Sequence, residues 1–191
     1  MNFRFNPYAG IMEDDIEKIL VPKFDVNQLI SRINESDSLA VEFLGRKGRG
    51  KTTHLIYLQK QMPDCPIFFL DKNSSFAEII NSKANIVFID SIHHLSVVER
   101  LRLFRDKEIV IYTTHWSRKM ECLLAGKTNL SIKFRGINEE VLLEILNKRL
   151  ELATIDYNKQ EVITLKEVNL LIKKYGDNYR GIINHLYQNY Q

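Results

Sequence analysis

The chain has 191 residues, of which 45% are hydrophobic and 27% charged, with a formal net charge of +3. This length and composition suit a globular protein with one α/β domain and a small appendage, and the charge is too small to argue for nucleic acid by itself. The sequence has no run of membrane-span length, no apolar signal core at its start, and two cysteines, Cys65 and Cys122, without disulfide-framework or metal-ligand spacing, so we expect a cytoplasmic protein.

Residues 1–37 precede the first predicted strand. Residues 6–10 (Asn-Pro-Tyr-Ala-Gly) have the composition of a turn, and a short helix is predicted from Asp14 to Leu20, before Pro22. Asp25 is a predicted N-cap for a helix that continues to about residue 34 and has an apolar face. We expect this N-terminal segment of one or two helices to pack on the core that follows.

A glycine-rich loop at residues 45–52 fits the phosphate-binding pattern G-x-x-x-x-G-K-[ST]. A predicted buried strand over residues 38–44 precedes the loop, and a predicted helix over residues 53–62 follows it. Strand, loop and helix in this order are the context that the pattern requires, whereas a flexible basic surface loop would not need it.

The residue types of the loop explain its predicted chemistry. Glycines let backbone N–H groups approach an anion, and the N-terminus of the next helix carries partial positive charge. The Lys51 ammonium is placed to reach the β- and γ-phosphates, and the Thr52 hydroxyl is a predicted Mg²⁺ ligand. The predicted nucleotide-binding residues are Gly45, Gly48, Arg49, Gly50, Lys51, Thr52 and Thr53.

The next two predicted strands cover residues 67–71 and 85–90. The second is a continuous apolar run that ends in Asp90, a pattern typical of a parallel strand covered on both faces. Ligands bind at the carboxyl ends of the strands in open α/β sheets, so Asp90 is the predicted acid that holds Mg²⁺ together with Thr52.

The remaining pattern alternates helix and strand and then becomes helical. A helix is predicted over residues 95–104, a strand over 108–115 that ends in Thr-Thr-His, a helix or loop over 116–125, and a fifth strand over 129–134. Strands separated by helices predict a three-layer α/β fold with a parallel sheet. Three helices follow, with predicted caps at Asn138, Thr164 and Asp177.

The order of these motifs resembles the AAA+ ATPases, a division of the P-loop NTPases, over residues 38–190. The Asn6-Pro7-Tyr8 opening is similar to the start common in the branch of replication initiators and transposition regulators. The resemblance implies a three-layer parallel-sheet P-loop NTPase core at residues 38–136, a small C-terminal α-helical lid at residues 137–191, and an N-terminal segment at residues 1–37.

The resemblance also implies roles for single residues. Residues 45–52 would be Walker A and residues 86–90 Walker B. Sensor 1, which contacts the γ-phosphate or the attacking water, would be Thr113 or Thr114, and Arg180 would be sensor 2. We expect Lys51, Asp90, Thr114 and Arg180 to be the catalytic residues. An arginine in the first turn of a helix opposes the helix dipole, which a ligand phosphate would justify, although a solvated arginine is the ordinary alternative.

Two departures from the family pattern concern the catalytic residues. Ser91 stands where the family commonly has a glutamate that polarises the attacking water, and spacing does not assign that role to His93, His94 or Glu99. We therefore expect hydrolysis that is slow or needs a partner. Second, the position of an arginine finger is left open between three residues. These are Arg118, Lys127 and Arg135.

These observations predict an ATP- and Mg²⁺-dependent ATPase that acts as a nucleotide-dependent switch. The resemblance implies a homo-oligomer, and DNA or a DNA-associated protein as partner, without a membrane. A P-loop kinase of a small substrate and a catalytically degenerate nucleotide-binding scaffold are the alternatives. His93, His94 and His115 lack a fourth ligand at diagnostic spacing, so polar residues near a nucleotide are favoured over a metal site.

Overall fold

The computed structural model describes residues 2–159 and 161–190, so Met1 of the predicted N-terminal segment and Gln160 and Gln191 of the predicted lid lie outside the described residues. Five strands form one sheet in the order β2-β3-β4-β1-β5, and every neighbouring pair is parallel. The strands are β1 (Leu39–Leu44), β2 (Ile67–Phe69), β3 (Ile86–Asp90), β4 (Ile109–Thr114) and β5 (Thr128–Lys133). The predicted parallel α/β fold is confirmed.

Nine α-helices occur in the described part of the chain. They are α1 (Ile16–Ile19), α2 (Val26–Asn34), α3 (Lys51–Lys60), α4 (Phe76–Asn81), α5 (Val97–Asp106), α6 (Lys119–Leu124), α7 (Glu139–Ala153), α8 (Leu165–Tyr175) and α9 (Tyr179–Asn189). None of the helices in residues 2–159 and 161–190 is long and apolar enough to cross a bilayer.

The two faces of the sheet bury different sets of side chains. Successive strand residues point to opposite faces, so the apolar run of each strand supplies both layers. One apolar cluster joins the sheet to α2 and α3 through Leu29, Ile33, Val41, Phe43, Leu55, Leu58, Phe88 and Ile111. The other joins the sheet to α4, α5 and α6 through Ala40, Ile79, Val87, Ile89, Leu103, Phe104, Val110, Tyr112 and Cys122.

Two element boundaries differ from the sequence prediction. The strand predicted to reach Asp71 ends at Phe69, because Asp71 forms a local turn in which its N–H and carboxylate both bond the Ser74 hydroxyl. The helix predicted from residue 95 begins after Ser96, which forms a capping box with Glu99. In each case a short polar side chain satisfies backbone groups and sets the boundary.

Contacts divide the chain into two units. The core unit contains residues 22–46 and 51–134, and the described residues of the helical unit are 2–21, 47–50, 135–159 and 161–190. This grouping differs from the predicted division, in which residues 1–37 form one segment that packs on the core. In the structure, α2 contributes Leu29 and Ile33 to the core unit, whereas residues 2–21 belong with the C-terminal helices.

The helical unit has its own apolar core. Tyr8 is 1% exposed and lies among apolar side chains of α7, α8 and α9. The buried Arg149 of α7 donates hydrogen bonds to the carbonyls of Pro7 and Ala9, at 3.2 and 3.1 Å, and burial lowers its pKa to about 10. The turn at residues 6–10 is therefore fixed to α7 by a buried side chain that satisfies two backbone acceptors.

Candidate functional site

The glycine loop follows the carboxyl end of β1, and its first residue, Gly45, lies in a confined space. The Gly45 N–H donates to the Thr114 carbonyl at 3.2 Å, and a Cβ atom at Gly45 would lie 2.6 Å from the Phe134 carbonyl oxygen. A larger residue at position 45 would therefore displace the backbone at Phe134. Further along the loop, Gly48 and Gly50 have φ angles of 84° and 79°, which side chains disfavour.

Lys51 begins α3 and points back at the loop. Its ammonium donates to the carbonyls of Gly45 and Arg46 at 2.8 and 2.9 Å, and the residue is 7% exposed. A buried ammonium is costly unless several acceptors surround it, so the folded loop specifies its position. The predicted binding residues Thr52 and Thr53 follow in the first turn of the same helix.

Asp90, at the end of β3, accepts hydrogen bonds from the other polar side chains at this edge of the sheet. Its Oδ1 accepts from the Thr52 hydroxyl at 2.9 Å and from the Thr113 hydroxyl at 2.7 Å. Ser91 donates its hydroxyl to Asp90 Oδ2 at 3.2 Å and its N–H to Thr113 Oγ1 at 2.7 Å. Ser91 is left-handed, with φ 63°, and such strain is commonly found at functional sites.

This arrangement fits a magnesium ion. Carboxylate and hydroxyl oxygens are the protein ligands that Mg²⁺ takes beside phosphate oxygens, and Thr52 and Asp90 present one of each within hydrogen-bonding distance. Gly45 and the Lys51 ammonium, both in the core unit, fit the phosphates that accompany the ion. The structure therefore brings together the two residues predicted to hold the metal.

The two threonines at the end of β4 have different surroundings. Thr113 shares a sheet face with the α3-facing residues Ile109 and Ile111 and contacts Asp90. Thr114, which we predicted to be catalytic, follows the opposite alternation, and its hydroxyl donates to the Trp116 carbonyl at 2.9 Å. The geometry therefore favours Thr113 over Thr114 as the residue beside the acid.

Within the helical unit, residues of the glycine loop contact the start of α9. Arg49 forms an ion pair with Asp177, whose other oxygen accepts from the Gly136 N–H at 3.1 Å. The Arg180 N–H donates to the Gly48 carbonyl at 3.3 Å, and the Arg180 side chain is exposed. The loop therefore contains one arginine, Arg49, and its backbone contacts the backbone of a second, Arg180.

The predicted cap of α9 was wrong by one residue. Asn178 is the N-cap, and its side chain accepts from the Gly181 N–H at 3.1 Å. Asp177 is instead engaged by Arg49 and Gly136, so its carboxylate serves the loop and not the helix. Both residue types cap helices equally well, so the sequence did not distinguish them.

The three candidates for an arginine finger also lie in different surroundings. Lys127 is buried and donates to the Glu108 carbonyl at 2.6 Å, and burial lowers its pKa. Arg118 pairs with Glu121 at 3.3 Å, whereas Arg135 is exposed. Lys127 therefore supports the fold of its own unit, and it is not available to a neighbouring molecule.

Sequence reasoning missed one polar residue of the core unit. Glu42, in the middle of β1, is fully buried and accepts from Ser117 Oγ and Ser131 Oγ at 3.0 Å each and from the Arg118 N–H at 2.6 Å. It thereby fixes the segment that follows β4. The charged residue in an otherwise apolar strand was the signal.

His115, which the sequence predicted among the polar residues near a nucleotide, lies beside the glycine loop. Its Nδ1 lies 3.0 Å from the Gly45 carbonyl, and its ring centroid is 5.0 Å from that of His93. His93 is in turn 4.4 Å from His94. In the part of the chain that the structure describes, no group of three or more His, Cys, Asp or Glu side chains is arranged to hold a metal ion.

Comparisons with known proteins support the fold. No protein-family model and no curated protein matches the chain. Among solved structures, RuvB of Thermotoga maritima, a Holliday junction branch migration motor, aligns with a TM-score of 0.54 and 17% identity, covering 87% of this chain and 61% of that one. A DNA replication initiation factor aligns with a TM-score of 0.59 and 12% identity, covering 91% and 63%.

The chain thus spans about three fifths of the length of these two structures. The TM-scores establish a shared architecture. Because the identities are below 20%, the activity of the longer proteins is left to be tested. With its five-stranded parallel sheet, glycine loop and acid-ended strand, the chain has the fold of the AAA+ P-loop ATPases.

Proposed function

We propose that this protein binds ATP with Mg²⁺ and acts as a nucleotide-dependent switch that assembles on, or recruits, DNA or protein partners. The observation that supports this most is the convergence of Lys51, Thr52, Asp90 and Thr113 at the end of the glycine loop. Each group has a geometry and a charge that suit a Mg²⁺-triphosphate. The cytoplasmic location stays a prediction.

The residues of the candidate site have distinct roles in this proposal. Lys51 and the loop N–H groups bind phosphate oxygens, and the glycines keep the backbone close enough to do so. Thr52 and Asp90 would hold Mg²⁺, which when bound neutralises phosphate charge. Thr113 orients the Asp90 carboxylate through its 2.7 Å hydrogen bond. Arg180, with its exposed guanidinium, is the proposed second sensor.

We propose the partners from the comparisons and not from a separate nucleic-acid-binding domain. The two aligned structures are described as a branch migration motor and a replication initiation factor, and both descriptions concern DNA. Both have lengths beyond the part that aligns with this chain. We propose a homo-oligomer that associates with DNA or a DNA-associated protein.

Ser91 favours slow turnover and a second candidate function. A serine hydroxyl cannot take the role of the glutamate that is common at this position, because its pKa is far too high for a base at neutral pH. A nucleotide-binding scaffold without hydrolysis is therefore the second candidate. A kinase of a small acceptor is the alternative without a supporting contact in the described residues.

The experiment is a turnover assay with purified protein, Mg-ATP, and either no addition or double-stranded DNA. We expect slow phosphate release that DNA stimulates and that Asp90→Asn removes while nucleotide binding persists. Binding without any turnover would favour the scaffold. Turnover that is unchanged in Asp90→Asn would contradict the assignment of the metal-holding acid.

A further inference from the structure

The sequence lacks the usual acid beside Asp90, and the other carboxylates of the core unit that flank the strand ends are already engaged. The Glu99 carboxylate accepts from the Ser96 N–H in the capping box of α5, at 2.7 Å. Glu121 pairs with Arg100 at 2.6 Å. Asp71 bonds Ser74 and Asn73, and Glu42 is fully buried within its own set of donors. None of these acids is therefore a suitable replacement for the missing glutamate.

The histidine that follows Asp90 by three residues lies differently. The left-handed backbone of Ser91 turns the chain into a single turn of 3-10 helix, Ile92–His94. This turn stacks His93 between the rings of His94 and His115, at centroid distances of 4.4 and 5.0 Å. His115 contacts the Gly45 carbonyl. The His115 ring therefore connects His93 to the first glycine of the phosphate loop.

His93 also carries an unused polar atom. Its Nδ1 is shielded from solvent and has no hydrogen-bond partner among the described residues. An unpaired buried polar atom is unfavourable, so it calls for an explanation such as a catalytic role. By contrast, Nδ1 of His115 already contacts Gly45, and His94 is exposed.

We propose that His93 positions the attacking water in the ATP hydrolysis of this protein, the role that a carboxylate after the Walker B acid has in related sites. This inference rests on the proposed function. The water oxygen bonds to the γ-phosphorus while the bond from that phosphorus to the bridging oxygen breaks, and the electron pair leaves on ADP. The imidazole of His93 accepts the water proton and then passes it to the product phosphate.

The electrostatic surroundings keep this imidazole neutral. Burial lowers the pKa of His93, and His94, His115 and Arg118 lower it further, whereas Asp90 opposes the shift. A neutral imidazole has a nitrogen lone pair that can accept the water proton at neutral pH. The ring therefore does not need to lose a proton before each turnover.

The test compares four proteins: wild type, His93→Phe, His93→Asn and His94→Phe. Phenylalanine preserves the stacked ring without nitrogen, whereas the asparagine oxygen can accept a hydrogen bond near the place of Nδ1 but cannot take a proton at neutral pH. The exposed neighbour His94 is the matched control. We measure kcat, the Kd of Mg-ATP, the thermal midpoint, and the ¹⁵N chemical shifts of the histidine rings.

We expect kcat of His93→Phe to fall by about 10²-fold or more, the range of general acid–base catalysis, with a Kd within about twofold of wild type. His93→Asn should lose less, and His94→Phe should stay within about threefold. The ¹⁵N signals of His93 should shift more with ADP and beryllium fluoride, a γ-phosphate mimic, than with ADP alone.

Outcomes of several kinds would overturn the inference. They are an unchanged kcat in His93→Phe, a loss of kcat that only follows a loss of binding, an equal loss in His94→Phe, and His93 signals that ignore the γ-phosphate mimic. Wild type that binds Mg-ATP without hydrolysing it would also overturn it, while leaving nucleotide binding intact. Wild type that does not bind Mg-ATP would instead overturn the proposed function itself.

Discussion

At the scale of single residues, the candidate site depends on a lysine whose surroundings are set by the loop that it serves. The Lys51 ammonium is held by two backbone carbonyls of that loop, whereas Lys47 is exposed on the same loop. Two lysines four residues apart are therefore in very different environments, and their removal should have different effects.

Lys51→Ala should abolish binding of Mg-ATP, because it removes the charge that reaches the phosphates and the donor that orders the loop. Lys47→Ala is the matched control and should bind with an affinity within a few-fold of wild type. Titration of both variants with a fluorescent ATP analogue measures the difference. Tight binding by Lys51→Ala would contradict the assignment of the phosphate loop.

The adjacent threonines of β4 provide a second pair. Thr113→Val removes the hydroxyl that Asp90 and the Ser91 N–H both use, and Thr114→Val removes one that bonds only the Trp116 backbone. Both changes remove the hydrogen bonds of a buried threonine hydroxyl, so each should cost about 0.5–1.5 kcal/mol of stability.

Only Thr113→Val should also lower kcat for ATP, by about tenfold or more, because it loosens the carboxylate beside the reacting phosphate. Steady-state turnover at saturating Mg-ATP, together with denaturant unfolding, separates the two effects. A larger loss of kcat in Thr114→Val would restore Thr114 as the sensor residue.

At the scale of elements, short polar side chains decide where helices begin. Ser96 caps α5 through the Glu99 N–H, and the Glu99 carboxylate returns a hydrogen bond to the Ser96 N–H. Ser75 is the N-cap residue of α4, yet its side chain makes no capping hydrogen bond. The same residue type at two equivalent positions therefore allows a direct comparison.

Ser96→Ala should destabilise the protein by about 1 kcal/mol, which is a decrease of roughly 2–4 °C in Tm for a chain of this size. Ser75→Ala should change Tm by less than about a third of that amount. Calorimetry at pH 7 makes the comparison. Equal effects of the two substitutions would mean that the capping box contributes nothing measurable.

The same capping box has a predictable pH dependence. Its hydrogen bonds from Ser96 hold the pKa of Glu99 below its usual value. A carboxyl group whose pKa is lower in the folded state stabilises the protein above its unfolded pKa of about 4.3. That contribution is lost as the pH falls through the lowered pKa of the folded state, so the loss of Tm caused by Glu99→Ala, measured by calorimetry, should shrink in acid.

At the scale of the whole molecule, the proposal is that nucleotide binding stabilises the folded protein and promotes assembly. Mg-ATP at about 100 times its Kd should stabilise the native state by about 2.7 kcal/mol, or roughly 5–10 °C in Tm. Thermal unfolding followed by size-exclusion chromatography of the same samples measures both effects, with Lys51→Ala as the control. A shift without a larger particle would contradict assembly by nucleotide alone.

Much of the fold and of the site could be predicted because the signals are local in the sequence. The glycine loop has a fixed spacing, and apolar runs bounded by turn residues mark β1, β3 and β4. Asp90 follows from the rule that ligands bind at the carboxyl ends of parallel strands. Thr52 and Asp90 are indeed hydrogen-bonded at that edge, although they are 38 residues apart.

What the sequence determined by itself was therefore the class of fold, the phosphate loop and the acid beside it, since each depends on neighbours along the chain. The tertiary structure decided between Thr113 and Thr114, because only the pleat of the paired strand fixes which side chain faces α3. It also engaged Asp177 with Arg49, and grouped residues 2–21 with the C-terminal helices. These outcomes depend on contacts between distant parts of the chain, which no local pattern encodes.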